Sequence, residues 1–151
     1  MGTGDADRLR EVRLRALADA PFAFASSLER ERDYGAEFWE GRVAESELGV
    51  VGAVFVAIDG PRNVGMAGGF FASGDRETAT LWGMWVDPAA RRRGVGRTLV
   101  EAVASWARES GAKILRLMLT DCDRSKAAGR GRLNWPRCGR LKWPHLRPIG
   151  C

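Results

Sequence analysis

Residues 91–98, which read Arg-Arg-Arg-Gly-Val-Gly-Arg-Thr, have the clearest chemical potential in this sequence. They lie between an apolar run at 81–86 and an amphipathic stretch that begins at Leu99. This order predicts a strand, a short turn, a glycine-rich basic loop and then a helix. Glycines let a ligand approach the backbone, and the first helical turn adds unpaired N–H groups and the positive end of the helix dipole. With four arginines in the loop, the segment predicts an anion site suited to phosphate or pyrophosphate.

Two common nucleotide-binding loops do not match this segment. A P-loop requires Gly-Lys-Ser/Thr after its first glycine, and that sequence is missing here. The dinucleotide fingerprint places its first glycine directly after the strand, whereas Pro88 and three arginines come first in this chain. The competing interpretation is a basic turn that only begins a helix.

The pattern Arg-x-x-Gly-x-Gly after a strand ending Val-Asp-Pro resembles the pyrophosphate loop of the GNAT-type (acyl-CoA) N-acetyltransferase superfamily. The resemblance extends upstream over residues 83–88 and downstream through the helix to 111–113. It implies a cytoplasmic enzyme that transfers an acetyl group from acetyl-CoA to a small-molecule or peptide amine, with no metal. In that family the loop N–H groups hold the CoA pyrophosphate, and the preceding strand bonds the pantetheine arm. The implied cofactor-binding residues are Met84, Trp85, Val86, Arg91, Arg92, Arg93, Gly94, Val95, Gly96, Arg97 and Thr98.

Attack by an amine on a thioester requires a base that removes the amine proton. Glu77 is the only acidic side chain in the predicted strand 77–86, so it is the catalytic candidate. The competing interpretation of Glu77 is a solvated carboxylate at the end of a strand.

The predicted elements give a mixed α/β (α+β) architecture in the order ααβββαβ. The first helix covers 8–20 and the second covers about 27–44, with a break near Tyr34 and Gly35. Strands are predicted at 50–58, 63–72, 77–86 and 114–119, and a helix at 97–110. The last strand should run parallel to strand 77–86, because a helix connects the two. The family usually begins with a strand, which the seven residues before Arg8 do not predict.

The sequence divides into an acyl-CoA-binding domain at 1–119 and a basic tail at 120–151. The tail contains eight basic and two acidic residues, and it is predicted to be irregular and the least ordered part of the chain. It is either a divergent end or a translated frameshift. The family's closing helix carries Asn, Ala, Leu-Tyr and Gly-Phe at fixed spacing, and different residues stand at those positions here: Asp123, Lys126, Gly129, Arg130, Asn134 and Trp135.

Arg130 stands where the family has a proton-donating Tyr, and a permanently charged guanidinium cannot replace that donor. The alternative function is therefore a remnant that binds CoA without turnover, or an interaction subunit. A homodimer is also left open. Binding of nucleic acid through the tail is a third hypothesis, which only the charge supports.

Composition excludes several other classes. The net charge is +5 and 45% of the residues are hydrophobic, which is ordinary for one globular domain. No apolar run reaches the about 18 residues of a membrane span, and the polar N-terminus does not resemble a signal peptide.

All cysteines lie in the tail and are expected to be free thiols. A zinc site lacks the close cysteine pair that it needs among Cys122, Cys138, His145 and Cys151.

Overall fold

The computed structural model describes residues 3–117 and 146–148. Its helices and strands follow the predicted order, and helices cover both faces of a sheet. The mixed α/β architecture is confirmed. The helices are α1 (Thr3–Asp19), α2 (Leu28–Arg32), α3 (Ala36–Leu48) and α4 (Val95–Glu109), and the strands are β1 (Gly52–Asp59), β2 (Arg62–Phe71), β3 (Thr78–Val86), β4 (Ile114–Leu117) and β5 (Leu146–Pro148).

The sheet has the strand order β4-β3-β2-β1-β5. Strands β1, β2 and β3 are successive antiparallel neighbours, and β3 pairs with β4 in parallel, as the connecting helix predicts. The expectation of an irregular tail is wrong for 146–148, because β5 pairs antiparallel with β1. An extended segment can complete the outer edge of β1, and an edge strand tolerates the missing N–H of Pro148. The rest of the predicted tail lies outside the described residues, and the domain division at 119 stays a prediction.

Two apolar cores lie on the two faces of the sheet. On one face α1 buries Leu9, Val12 and Ala16, which follow helical spacing, against α3 and the sheet. On the other face α4 buries Leu99, Val103 and Ala107, one turn apart. The helices are therefore fixed by apolar stripes that face the same sheet from opposite sides.

The boundaries differ from the prediction in ways that have local causes. The helix predicted at 27–44 is two helices, and the break falls at 33–35, as predicted. Ser27 begins α2 by accepting a hydrogen bond from the Arg30 N–H at 3.3 Å. Helix α3 continues to Leu48, where Gly49 adopts a φ of 60° and ends it. None of the helices in the described part of the chain is long and apolar enough to cross a membrane.

Gly68 and Gly41 provide a matched test of packing on the α1 face. A Cβ on Gly68 would lie 2.6 Å from Trp82 Nε1, so Gly68→Ala must displace a large, partly buried ring. We expect Gly68→Ala to lower the free energy of unfolding by about 1–3 kcal/mol. A Cβ on Gly41, within α3, meets nothing within 4 Å, so Gly41→Ala should raise it by roughly 0.5–1 kcal/mol. Urea unfolding measures both, and equal stability of the two variants would contradict the packing described for Trp82.

Candidate functional site

A β-bulge interrupts β3 at its centre. Trp82 pairs with Gly68 and Trp85 pairs with Met66, so two residues of β3 stand opposite the single Ala67 of β2. Gly83 has a φ of 62°, a conformation that favours glycine. The extra residue changes which face each side chain takes. Trp82 and Trp85, three positions apart, therefore both contribute to the core on the α1 side.

Beyond the bulge, β3 has one edge without a described partner. The pairs with β4 run from Thr78 to Leu81, and the described part of β4 ends opposite Leu81. The edge of residues 82–86 on that side therefore presents backbone groups that this part of the structure does not pair. Met84 is 37% exposed here. An extended ligand could bond this edge as an added strand does.

The turn between β3 and the basic loop is fixed by Asp87. Its side chain accepts a hydrogen bond from the Ala89 N–H at 2.8 Å and forms an ion pair with Arg15 of α1. Its own N–H donates to the Val64 carbonyl at 2.9 Å. A 3₁₀ turn, Pro88–Ala90, follows. The loop therefore leaves the sheet from a point that both β2 and α1 hold.

The glycines of the loop open the start of α4 to a ligand. Gly94 is the N-cap, with a φ of 85° and no side-chain cap, and a Cβ placed on it meets nothing within 4 Å. The Thr98 N–H and hydroxyl both donate to the Gly94 carbonyl at 3.0 Å. The N–H groups of residues 95–97 lie before the first hydrogen bond of the helix. No carbonyl of α4 accepts from them. A Cβ on Gly96 would lie 3.0 Å from Met84 Cε, so the first turn of α4 packs directly against the exposed part of β3.

The four loop arginines differ in their contacts. Arg91 donates to the Val86 carbonyl at 3.0 Å and to Asp19 at 2.6 Å, so it holds the loop to the strand and to α1. Arg93 and Arg97 form exposed pairs with Asp59 and Glu101, of the kind that contributes little to stability. Arg92 has a φ of 65°, is exposed and has no ion pair among the residues that the structure describes. Arg92 is thus the loop guanidinium with most freedom to meet an anion.

Asp19, at the end of α1, joins three elements. Its Oδ2 accepts from Trp85 Nε1 at 2.9 Å and from Arg91 Nη2 at 2.6 Å. The hydrogen bond from Trp85 holds the pKa of Asp19 below its ordinary value, with a further contribution from Arg91 and an opposing one from desolvation. The Trp85 side chain is buried and engaged, so only its backbone can serve an extended ligand. Neither partner of Asp19 is close in sequence, and the sequence analysis missed it.

Glu77 does not lie with the loop or the bulge. It precedes β3 at the opposite end from the loop, and its side chain, 67% exposed, pairs with Lys113. About 20 Å of extended strand separates it from Gly83, at the usual rise per residue. Its catalytic role stays a prediction.

Two adjoining cavities lie on the α3 side of the sheet, and the sequence analysis missed them. The larger is about 370 Å³ and the smaller about 40 Å³, and both are lined by Arg42, Val54 and Trp82. Glu45 of α3 lines the larger one and Arg13 of α1 lines the smaller one. An arginine within the apolar pattern of each helix was the available signal.

No group of three or more His, Cys, Asp or Glu within 3–117 could hold a metal ion, and the four residues considered for zinc lie outside the described residues.

Arg13 forms a buried ion pair with Glu31 of α2. Its Nε and Nη2 donate to the two carboxylate oxygens at 2.9 and 2.8 Å. Burial tends to raise the pKa of Glu31, but the hydrogen bonds and charge of Arg13 outweigh it and hold this pKa below its ordinary value. Glu31 therefore stays ionised, and its pairing fixes the guanidinium of Arg13 beside the cavity.

Comparisons with known proteins identify a family and similar folds. The model of the acetyltransferase (GNAT) family matches residues 13–129. The fold is similar to that of AAC(6')-Iy, solved with the bisubstrate analogue CoA-S-monomethyl-acetylneamine, at 18% identity and a TM-score of 0.59, over 83% of this chain and 79% of that one. It is also similar to the PaiA N-acetyltransferase of Thermoplasma acidophilum, solved with coenzyme A, at 16% identity and a TM-score of 0.62, over 78% and 74% of the two chains.

A third similar structure is a GNAT acetyltransferase of Streptococcus pneumoniae, at 16% identity and a TM-score of 0.65, over 79% of this chain and 71% of that one. A search of curated proteins finds no match. At these identities the solved structures establish the fold, and they leave the acceptor open.

The lowered pKa of Asp19 predicts how its contribution to stability depends on pH. Since the folded pKa lies below the unfolded one, the stabilisation is complete above about pH 4, the ordinary Asp value, and is lost as pH falls through the folded pKa. We expect the stability gap between the native protein and Asp19→Asn to be constant near neutral pH and to shrink below about pH 4. Urea unfolding from about pH 3 to 8 measures the gap. A gap that widens as the pH falls would contradict this assignment.

Proposed function

We propose that this chain, which belongs to the acetyltransferase (GNAT) family, transfers an acetyl group from acetyl-CoA to a primary amine. The amine is part of a small molecule or a peptide, the chemistry needs no metal, and the reaction takes place in the cytoplasm. The observation that carries the proposal is the open first turn of α4, which packs directly against Met84 of β3. Acetyl-CoA supplies an activated thioester when it is bound.

The loop residues fit a pyrophosphate. The N–H groups of 95–97 and the positive end of the α4 dipole attract an anion, and Gly94 leaves the approach clear. Arg92, which has no ion pair within residues 3–117, can add a forked donor, whereas Arg91 fixes the loop to Asp19 and Val86. In this proposal most of the anion affinity comes from the backbone, so the positions of the glycines matter more than any one arginine.

The strand residues fit the acyl arm. Met84 to Val86 offer the edge that β4 does not pair in the described structure, and this edge begins at the loop end of β3. An arm that bonds this edge extends from the loop toward Gly83 and Trp82, and the Trp82 side chain lines both cavities. The main contribution of the protein is then to hold thioester and amine in reacting geometry.

Two carboxylates are candidates for the base. Glu77 is the candidate from sequence, at the far end of β3. Glu45 lines the larger cavity together with Trp82, the neighbour of the bulge, and so lies on the acceptor side in this proposal. A base must lie within hydrogen-bond reach of the amine, directly or through one water, and this requirement favours Glu45.

Replacement of Gly94 and Gly96 together by valine should abolish binding of acetyl-CoA. A valine in place of Gly94 would be strained at a φ of 85° and would cover the open approach, and one in place of Gly96 would displace Met84 from the strand edge. Calorimetry with acetyl-CoA measures the loss. Unchanged affinity in the double variant would overturn the assignment of the loop.

Gly74 provides the control for backbone strain. Its φ of 81° and open surroundings match those of Gly94, but it lies in the turn before β3, away from the loop. Gly74→Val should therefore lower the free energy of unfolding by about 1–3 kcal/mol, as the strain at position 94 does, and leave the affinity for acetyl-CoA unchanged. Equal loss of affinity in both proteins would show that strain, and not the site, explains the effect.

Release of CoA thiol with a panel of small amines and peptides tests turnover and the base. If Glu45 acts as the base, Glu45→Gln should lower kcat by about 10²–10⁴-fold, the usual contribution of such a group, with unchanged affinity for acetyl-CoA. The matched variant Glu77→Gln should change kcat little, and the reverse result would assign the base to Glu77. Binding of acetyl-CoA without turnover on any amine would favour the remnant, in which Arg130 replaces the proton donor of the family.

A further inference from the structure

The smaller cavity contains hydrogen-bond donors that no group among residues 3–117 satisfies. Two buried side-chain atoms in the described part of the chain lack a partner, Arg13 Nη1 and Trp39 Nε1, and both residues line this cavity. Both residues are more than nine-tenths buried. Guanidinium and indole nitrogens donate and cannot accept. A group that satisfies them must therefore be an acceptor.

The free nitrogen of Arg13 is held rigidly. The other side of the guanidinium is fixed by its two hydrogen bonds to Glu31, and its Cζ lies 4.7 Å from the ring centre of Phe24 and 5.7 Å from that of Trp82. Glu31 accepts from Nε and Nη2, on one edge of the guanidinium, and Nη1 has no hydrogen-bond partner in the described part of the chain. The cavity thus has a donor that is already in place before any ligand arrives.

Arg42 adds a second positive charge at the same place. Its Cζ lies 5.3 Å from the ring centre of Phe38 and 5.7 Å from that of Trp82, and it lines both cavities. It has no ion pair within the described ranges. Since Arg13 and Glu31 balance each other, Arg42 leaves the smaller cavity with net positive charge; Glu45 lines only the larger one.

We infer that the amine acceptor also carries a carboxylate, and that this group binds at Arg13 Nη1 and Trp39 Nε1 beside Arg42. The inference rests on the proposed function, because it names the class of acceptor. Nη1 of Arg13 lies 3.5 Å from the position that a Cβ on Gly83 would occupy, so the anion lies next to the bulge. A carboxylate is an acceptor only and matches two donors and a guanidinium. The apolar side chains Val51, Phe70 and Trp82 of the larger cavity suit the body of such a molecule.

The test compares ligands that differ only in this charge. N-acetyl derivatives of alanine, leucine and phenylalanine are titrated by calorimetry into the full chain with CoA, each against its primary amide. We expect the carboxylate of at least one pair to bind at least about tenfold more tightly than its amide. Equal affinity within every pair, or no binding of any carboxylate, overturns the inference and leaves water as the occupant of the cavity.

Variants test which residues cause the preference for the carboxylate over its amide. Arg42→Met should remove most of this preference. The double variant Arg13→Met with Glu31→Met should remove it too, and it leaves no buried charge unpaired. Arg10→Met, on the exposed side of α1, is the control and should keep it. A preference that survives both site variants also overturns the inference. Calorimetry with acetyl-CoA on the same samples reports the proposed function separately, since carboxylate and amide are compared without any turnover.

Discussion

The bulge at Gly83 is the constraint on which the rest of the site depends. Without the extra residue, Trp82 and Trp85 would lie on opposite faces of the sheet, and neither the cavity wall nor the bond from Trp85 to Asp19 could form as they do. A side chain at 83 would also meet the left-handed φ and approach Arg13 Nη1. One glycine therefore sets the directions of the strand residues, and through them the relation of the loop to the cavities.

Helix α1 connects the two halves of the site. On the loop side, Asp19 pairs with Arg91 and Arg15 pairs with Asp87. Arg13 of the same helix pairs with Glu31 and lines the smaller cavity. Since the ion pairs on the loop side are partly exposed, salt should weaken them more than it weakens the buried pair of Arg13 and Glu31.

The sequence predicts local features of this fold well, and distant pairings poorly. The loop, α4 and the parallel placement of β4 follow from residues within one strand–helix–strand unit, where glycine, charge and apolar spacing agree. The bulge has a local signal too, because an isolated glycine within an apolar strand often marks one. The pair of Arg13 with Glu31, the ties of Asp19 and the pairing of β5 with β1 join separate segments, and no periodicity predicts such partners. Glu77 is a candidate only because it is the sole carboxylate of its predicted strand. That reason says nothing about how far Glu77 lies from the loop.

The unsatisfied donors of Arg13 and Trp39 bear on what the acceptor can be. Each buried donor without a partner costs about 1–3 kcal/mol, so a fold keeps two in one cavity only if water or a ligand satisfies them there. A site built around such donors rejects a molecule that lacks the matching group far more strongly than an apolar pocket rejects a wrong shape. It also repels a cation, because Arg42 stands beside it. The similarity to AAC(6')-Iy, at 18% identity, concerns the fold and does not indicate the acceptor of this chain. If the acceptor carries a carboxylate, as we infer, the charge around Trp82 is the feature that selects among amines.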